Sequence, residues 1–346
     1  MTTKLDEQLS VTLPAGFTVR GATLDDVEAS LEMYNLWAQE VIHEDEINDA
    51  EAIRNEWVSP GFDPAEDIRL VFAPDDTLVG YIEAWTTAKP PVHPWIWGRV
   101  HPDYSGLGIG TFLLQWAEQC AMKALDSLAP DLRFAPRVGI YHQATESQKL
   151  FEDMGYAYIR SFYEMLIEMD SIPPKPLWPE GITIRTYNPQ TDAEAVYRAD
   201  EEAFQDHFGY VEAPFEEGFE RFMQLMTGHK DFDPSLWYLA MEGDEIAGIC
   251  LCRPHAYDDP DIGYVSTLGV RRPWRKRGLG LAFLQHAFGE FYRRGKRKVS
   301  LGVDADNLTG ALRLYEKAGM HIHLQTDTFE KEIRPGKEIS VQSLVD

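Results

Sequence analysis

A chain of 346 residues exceeds the roughly 250 to 300 at which one hydrophobic core stops growing, so two domains are expected. With 44% hydrophobic and 12% aromatic residues it is neither disordered nor fibrous; no apolar run reaches the ~18 residues of a membrane helix, and MTTKLDEQLS lacks a signal peptide's apolar centre. A formal net charge of −25 excludes a nucleic-acid-binding surface, which needs a basic footprint.

A cytoplasmic protein with neither a nucleic acid nor a membrane as partner is therefore expected. In chain order, the strand-like Pro14–Arg20 (PAGFTVR) returns later as Pro179–Arg185 (PEGITIR). Gly106–Leu113 (GLGIGTFL) returns as Arg277–Leu284 (RGLGLAFL), and Leu150–Tyr156 (LFEDMGY) as Leu314–Met320 (LYEKAGM). Three matches in one order mark a duplicated domain. Residues 1–170 form the first copy and 181–346 the second, joined by a linker over 171–180 whose four prolines cannot continue a helix or a central strand.

Each half reads strand, helices, strands, Gly-rich turn, helix, strand, helix, strand. In the second half Ile182–Thr186 is a strand, and Asp192–Phe204 and Phe215–Met226 are helices. Leu236–Met241 and Ile246–Arg253 form a hairpin through Gly243 and Asp244, and Ile262–Val270 is the next strand. Leu279–Arg293 has helical spacing, Val299–Val303 is a strand, and Thr309–Ala318 is a helix closed by Gly319. The class is α+β, a mixed sheet flanked by helices in each copy. Three cysteines are too few for a disulfide framework; Cys250 and Cys252 share one face of a strand as core residues.

From Arg271 to Arg277 five of seven residues are basic, and Gly278-Leu279-Gly280 then opens a helix. Glycines let a backbone approach an anion, and the first helical turn points unpaired N–H groups at it. Alone, this pattern is also that of a tight turn with a solvated basic face. Neither a Walker loop nor a dinucleotide fingerprint is present. The full order is Leu268-Gly269-Val270, Arg275-x-x-Gly278-x-Gly280, Asn307, and then Ala311-x-x-Leu314-Tyr315-x-x-x-Gly319-Met320.

This order resembles the GCN5-related N-acetyltransferases, the GNAT superfamily, and the two-copy layout is similar to that family's tandem type. The resemblance implies two tandem GNAT domains and acetyl-CoA as donor, with CoA as product. It implies that Leu268, Gly269 and Val270 hold the pantetheine arm, that Arg275, Lys276, Arg277, Gly278, Leu279, Gly280 and Leu281 cradle the pyrophosphate, and that Asn307 approaches the cofactor. Tyr315 is then the general acid for the leaving thiolate, a role that needs no covalent acyl-enzyme. In the first copy Gly98, Val100, Gly106, Gly108 and Gly110 correspond, but Ser105 replaces the arginine and Phe151 the tyrosine, so that copy reads as degenerate.

Transfer to a primary amine of a small molecule is the leading expectation. A protein or peptide N-acetyltransferase and a non-catalytic CoA-binding sensor are the alternatives. Glu202, Asp206 and Asp258 are candidate carboxylates for the acceptor amine, against the plainer reading of a solvated acidic surface. His321 and His323 share a strand face but have no third ligand at a recognisable spacing, so no metal is expected. The acceptor's identity and the oligomeric state stay open.

Overall fold

The computed structural model describes residues 9–44, 50–228, 231–256, 259–306 and 310–342. The chain folds into two compact units. The first carries β1 (Thr18–Arg20), α1 (Val27–Val41), α2 (Ala50–Trp57), α3 (Pro64–Asp67), β2 (Ile68–Phe72), β3 (Leu78–Trp85), β4 (Trp95–Val100), α4 (Ile109–Met122), β5 (Arg137–Tyr141) and α5 (Thr145–Asp153). Strand β6 (Ala157–Glu168) starts there, and from Ser161 onward belongs to the second unit. The second unit continues with β7 (Ile182–Thr186), α6 (Ala193–Phe204), α7 (Phe215–Thr227), β8 (Trp237–Glu242), β9 (Glu245–Arg253), β10 (Ile262–Val270), α8 (Leu279–Arg293), β11 (Lys298–Asp304) and α9 (Ala311–Lys317). Strand β12 (His321–Glu330) ends the series, and its residues from Thr326 belong to the first unit. Among the described residues no helix is long and apolar enough to cross a membrane.

The strands of each unit follow the same mixed order. In the first, β1 to β4 are antiparallel neighbours, β5 is parallel to β4, and Thr326–Glu330 pairs antiparallel with β5. In the second, β7 to β10 are antiparallel neighbours, β11 is parallel to β10, and residues 162–168 pair antiparallel with β11. Gly243, at φ 60°, makes the β8 to β9 hairpin turn foreseen for it. A parallel neighbour needs a crossover rather than a turn, and α8 supplies it.

The register explains why the compact units do not follow the expected limits of 1–170 and 181–346. Each repeat's last strand completes the sheet of the unit that the other repeat dominates, so the division falls inside β6 and β12. Nor is 171–180 a free spacer. Trp178 packs edge-on against Phe283, and the Glu180 carbonyl accepts a hydrogen bond from Arg277.

Helix α8 anchors the second unit's core. Leu279, Ala282, Phe283, Leu284, Ala287, Phe288 and Phe291 are all buried, an apolar stripe at three- and four-residue spacing. Each large apolar side chain contributes roughly 1.5–3 kcal/mol by leaving water. Gly263 on β10 makes room for the Phe291 ring, since a Cβ there would meet it at 2.5 Å. Cys250 and Cys252 are buried in the same core as free thiols, their sulfurs 3.8 Å apart.

Candidate functional site

Strand β10 pairs with β11 only from Ile262 to Tyr264, and beyond that its partner register is with β9 alone. The Arg271 N–H donates to the Ala247 carbonyl on the β9 side. Because N–H directions alternate along a strand, the N–H groups of Val270 and Leu268 point the other way, where β11 no longer pairs. A cavity of about 640 Å³ opens there, bounded by Val265–Val270, by Leu301–Asp304 of β11, by the start of α8 and by α9.

The first N–H accepted inside α8 is that of Ala282, bonded to the Gly278 carbonyl. The N–H groups of Leu279, Gly280 and Leu281 precede it, have no acceptor within the helix and lie at the cavity. Gly278 sits at φ 94° with open space where a Cβ would stand, whereas a Cβ on Gly280 would meet Leu314 at 2.7 Å. One glycine sets the turn, and the other lets α8 and α9 pack closely. These unpaired donors, the helix dipole and the open face of Gly278 fit a phosphate group without further adjustment.

The basic side chains of the loop are mostly engaged. Arg271 Nε donates to Glu202 at 2.6 Å, Arg272 pairs with Asp206, and Arg277 donates to Glu242 at 2.8 Å. Arg275 is a clamp: its Nε donates to the Val270 carbonyl and its Nη2 to the Ala203 carbonyl, each at 3.0 Å, with Asp206 3.5 Å away. It thus ties the loop to the end of α6. Lys276 is exposed, lines the cavity and has no ion-pair partner among the described residues. It adopts φ 63°, a left-handed conformation in which the first unit has Gly106 at φ 77°.

Tyr315 is held by α9 with its body in the core, 7% exposed, and it borders the cavity. Its hydroxyl has no hydrogen-bond partner among the described residues. Burial, helped slightly by Cys250, pushes the phenol up to about 12, so it keeps its proton through the neutral range. His207, just past α6, borders the same cavity, its ring 4.6 Å from that of Phe204.

The first unit has a comparable cavity of about 770 Å³, bordered by Gly98, Val100, Gly106, Gly108 and Gly110. His101 N–H donates to the Val79 carbonyl, so Gly98 and Val100 N–H groups point away from β3, as in the second unit. Gly108 caps α4 at φ 82°. The segment from Pro102 to Gly108 holds no arginine or lysine, and Phe151 stands where the other unit has Tyr315. Arg99 borders this cavity, but its guanidinium lies over Trp37, 4.3 Å from the ring centre.

The structure therefore gathers Leu268 to Val270, Arg275, Lys276, Gly278 to Leu281 and Tyr315 around one cavity, with Arg277 turned aside toward Glu242. Asn307 and Asp258 lie outside the described residues. Glu202 and Asp206 depart from expectation: they are not free carboxylates for an amine but the counter-ions of Arg271, Arg272 and Arg275. An acidic chain neutralises its basic loop with its own neighbouring helix. His207 and Asp304 were missed as cavity residues; His207 directly follows Asp206, one of the carboxylates considered for the acceptor amine.

Comparison with known proteins follows this geometry. The Acetyltransferase (GNAT) family pattern matches residues 30–156 and 193–320, one match per repeat. A mycothiol acetyltransferase of Geodermatophilus obscurus is 31% identical over 65% of this chain and 69% of its own length, and one of Streptomyces scabiei is 29% identical over 76% and 80%. A GCN5-related N-acetyltransferase from Sphaerobacter thermophilus is 36% identical and superposes with a TM-score of 0.80 over 96% of this chain and 100% of that one. The fold is shared by a tandem GNAT protein of the clavulanic acid biosynthesis pathway, 17% identical with a TM-score of 0.68 over 93% and 100%. With both repeats matched over more than half of its length, the chain belongs to the GNAT acetyltransferase family, as a tandem N-acetyltransferase.

Proposed function

We propose that the second unit transfers an acetyl group from acetyl-CoA to a primary amine of a small molecule, and that the first unit is a non-catalytic copy. The observation that carries this is one cavity bordered at one end by the open N-terminus of α8 and elsewhere by a protonated Tyr315 whose hydroxyl has no partner among the described residues. Acetyl-CoA supplies an activated thioester when bound. In this reading the N–H groups of Leu279 to Leu281 and the Lys276 ammonium hold its diphosphate, and the outward N–H groups of Leu268 and Val270 hold the pantetheine arm. Gly269 and Arg275 keep strand and loop in register, and Asn307 follows from the resemblance alone. Tyr315 delivers a proton to sulfur, a role suited to a phenol that stays neutral.

The mycothiol acetyltransferase relatives support a small amine as acceptor rather than a protein. In the first unit the backbone cradle remains, but Phe151 has no proton to give, so weaker CoA binding without turnover is the reading for Gly98, Val100, Gly106, Gly108 and Gly110.

Calorimetric titration with acetyl-CoA tests this. Tight binding lost in Gly278→Glu is expected, because a side chain at φ 94° is strained and its charge opposes the anion. A second, weaker site surviving in that variant belongs to the first unit. No binding at millimolar acetyl-CoA by the wild type, or unchanged tight binding by the variant, overturns the reading.

A further inference from the structure

We propose that His207 is the general base that takes the proton from the acceptor amine, opposite Tyr315 as the general acid. This deepens the function proposed above and rests on it. Few ionisable side chains border the cavity. Arg275 is locked on two carbonyls, Lys276 and Lys317 are exposed amines without an acceptor role, the Asp304 carboxyl already accepts from the Asp306 N–H at 3.0 Å, and Tyr315 is held protonated. His207 remains, half-buried on the wall, and neither ring nitrogen has a hydrogen-bond partner among the described residues.

Its surroundings favour the neutral ring. Burial lowers the imidazole below its ordinary value; Asp304 on β11 opposes this, Arg275 on the loop reinforces it, and Asp206 opposes it. A neutral base and a protonated acid therefore border one cavity, their protonation pushed apart by environment. Its position follows from α6: Ala203 and Phe204 pack against Gly269, and the chain turns at His207, whose N–H donates to the Phe204 carbonyl.

The step balances. A neutral amine attacks the thioester carbonyl, so a C–N bond forms and the C–S bond breaks. His207 receives one proton from the amine nitrogen, and the departing sulfur receives the Tyr315 proton. Imidazolium then releases a proton to solvent and the phenolate recovers one, leaving amide and free thiol.

The test compares wild type with His207→Gln in the full chain, following thiol release from acetyl-CoA with glucosamine and S-methylcysteine methyl ester as probe amines. The expected result is a loss of at least about 100-fold in kcat with the acid limb of its pH profile removed, acetyl-CoA affinity unchanged, and partial rescue of His207→Gly by imidazole. Equal rates at every pH, or a uniform loss that keeps the acid limb and is not rescued, overturn the assignment. A second readout needs no turnover: the ring resonance absent from His207→Gln should titrate below pH 6.5 and shift when acetyl-CoA saturates the wild type. A resonance that ignores both pH and acetyl-CoA overturns His207 alone, whereas wild type that binds no acetyl-CoA overturns the proposed function with it.

Discussion

At the scale of single residues, Lys276 combines two things that rarely coincide, a left-handed backbone and, near a helix N-terminus, an amine with no ion-pair partner among the described residues. A side chain in that conformation costs about 1–2 kcal/mol, which glycine avoids and which the first repeat does avoid with Gly106. Lys276→Gly should therefore raise the thermal midpoint while weakening acetyl-CoA binding roughly tenfold and flattening its salt dependence. A lower midpoint with unchanged affinity in calorimetry would assign Lys276 to the fold instead. Tyr315→Phe removes only a hydroxyl that makes no hydrogen bond among the described residues, so stability and acetyl-CoA affinity should hold while kcat falls at least ~100-fold; an unchanged kcat removes the phenol from the mechanism. Gly278, Gly280 and Tyr315 were legible because their spacing is local. The pairing of Glu202 and Asp206 was not, since it joins residues about seventy positions apart.

At the scale of elements, α6 serves both the core and the cavity. Val196, Ala199 and Ala203 are buried, and Phe204 turns to Gly269. On the same helix burial, with a smaller effect of Glu201, pushes the Asp200 carboxyl up to about 7. A carboxyl raised above its unfolded value of 3.8 favours the native state fully below that value, and the contribution is lost as pH rises to about 7. Asp200→Asn should thus stabilise the protein by on the order of 2 kcal/mol at pH 8, allowing for partial exposure, and by almost nothing at pH 3.5. Urea unfolding at the two pH values measures this, and equal effects at both would contradict it. Helix and strand periods placed α6, α8 and β10 within a residue or two of their observed limits, because each buries one continuous face.

At the scale of the whole molecule, the repeats exchange their last strands. Thr326–Glu330 pairs with β5 and brings Glu330 onto Arg137 at 2.9 Å and Arg133 at 2.6 Å, with Arg137 and Glu330 both buried. Breaking a buried pair from one side leaves an uncompensated charge, at a cost of roughly 3–5 kcal/mol. Glu330→Gln should lower unfolding stability by about 3 kcal/mol although it lies in the last twentieth of the chain, as denaturant unfolding will show; a change below 1 kcal/mol would mean that the strand is dispensable to the first unit. The prolines of 171–180 pointed to a break between copies, yet pairing energy rather than backbone stiffness sets where each unit ends.

The sequence by itself determined the duplication, through runs that match one another, and the elements of each copy, the glycine turn before α8 and the position of Tyr315, through periods and spacings within about fifty residues. Tertiary structure alone decided which carboxylates neutralise the basic loop, that Lys276 meets none of them among the described residues, that His207 borders the same cavity as Tyr315, and that the final strands change units. Those outcomes depend on contacts between distant segments, and on burial, which no local pattern encodes.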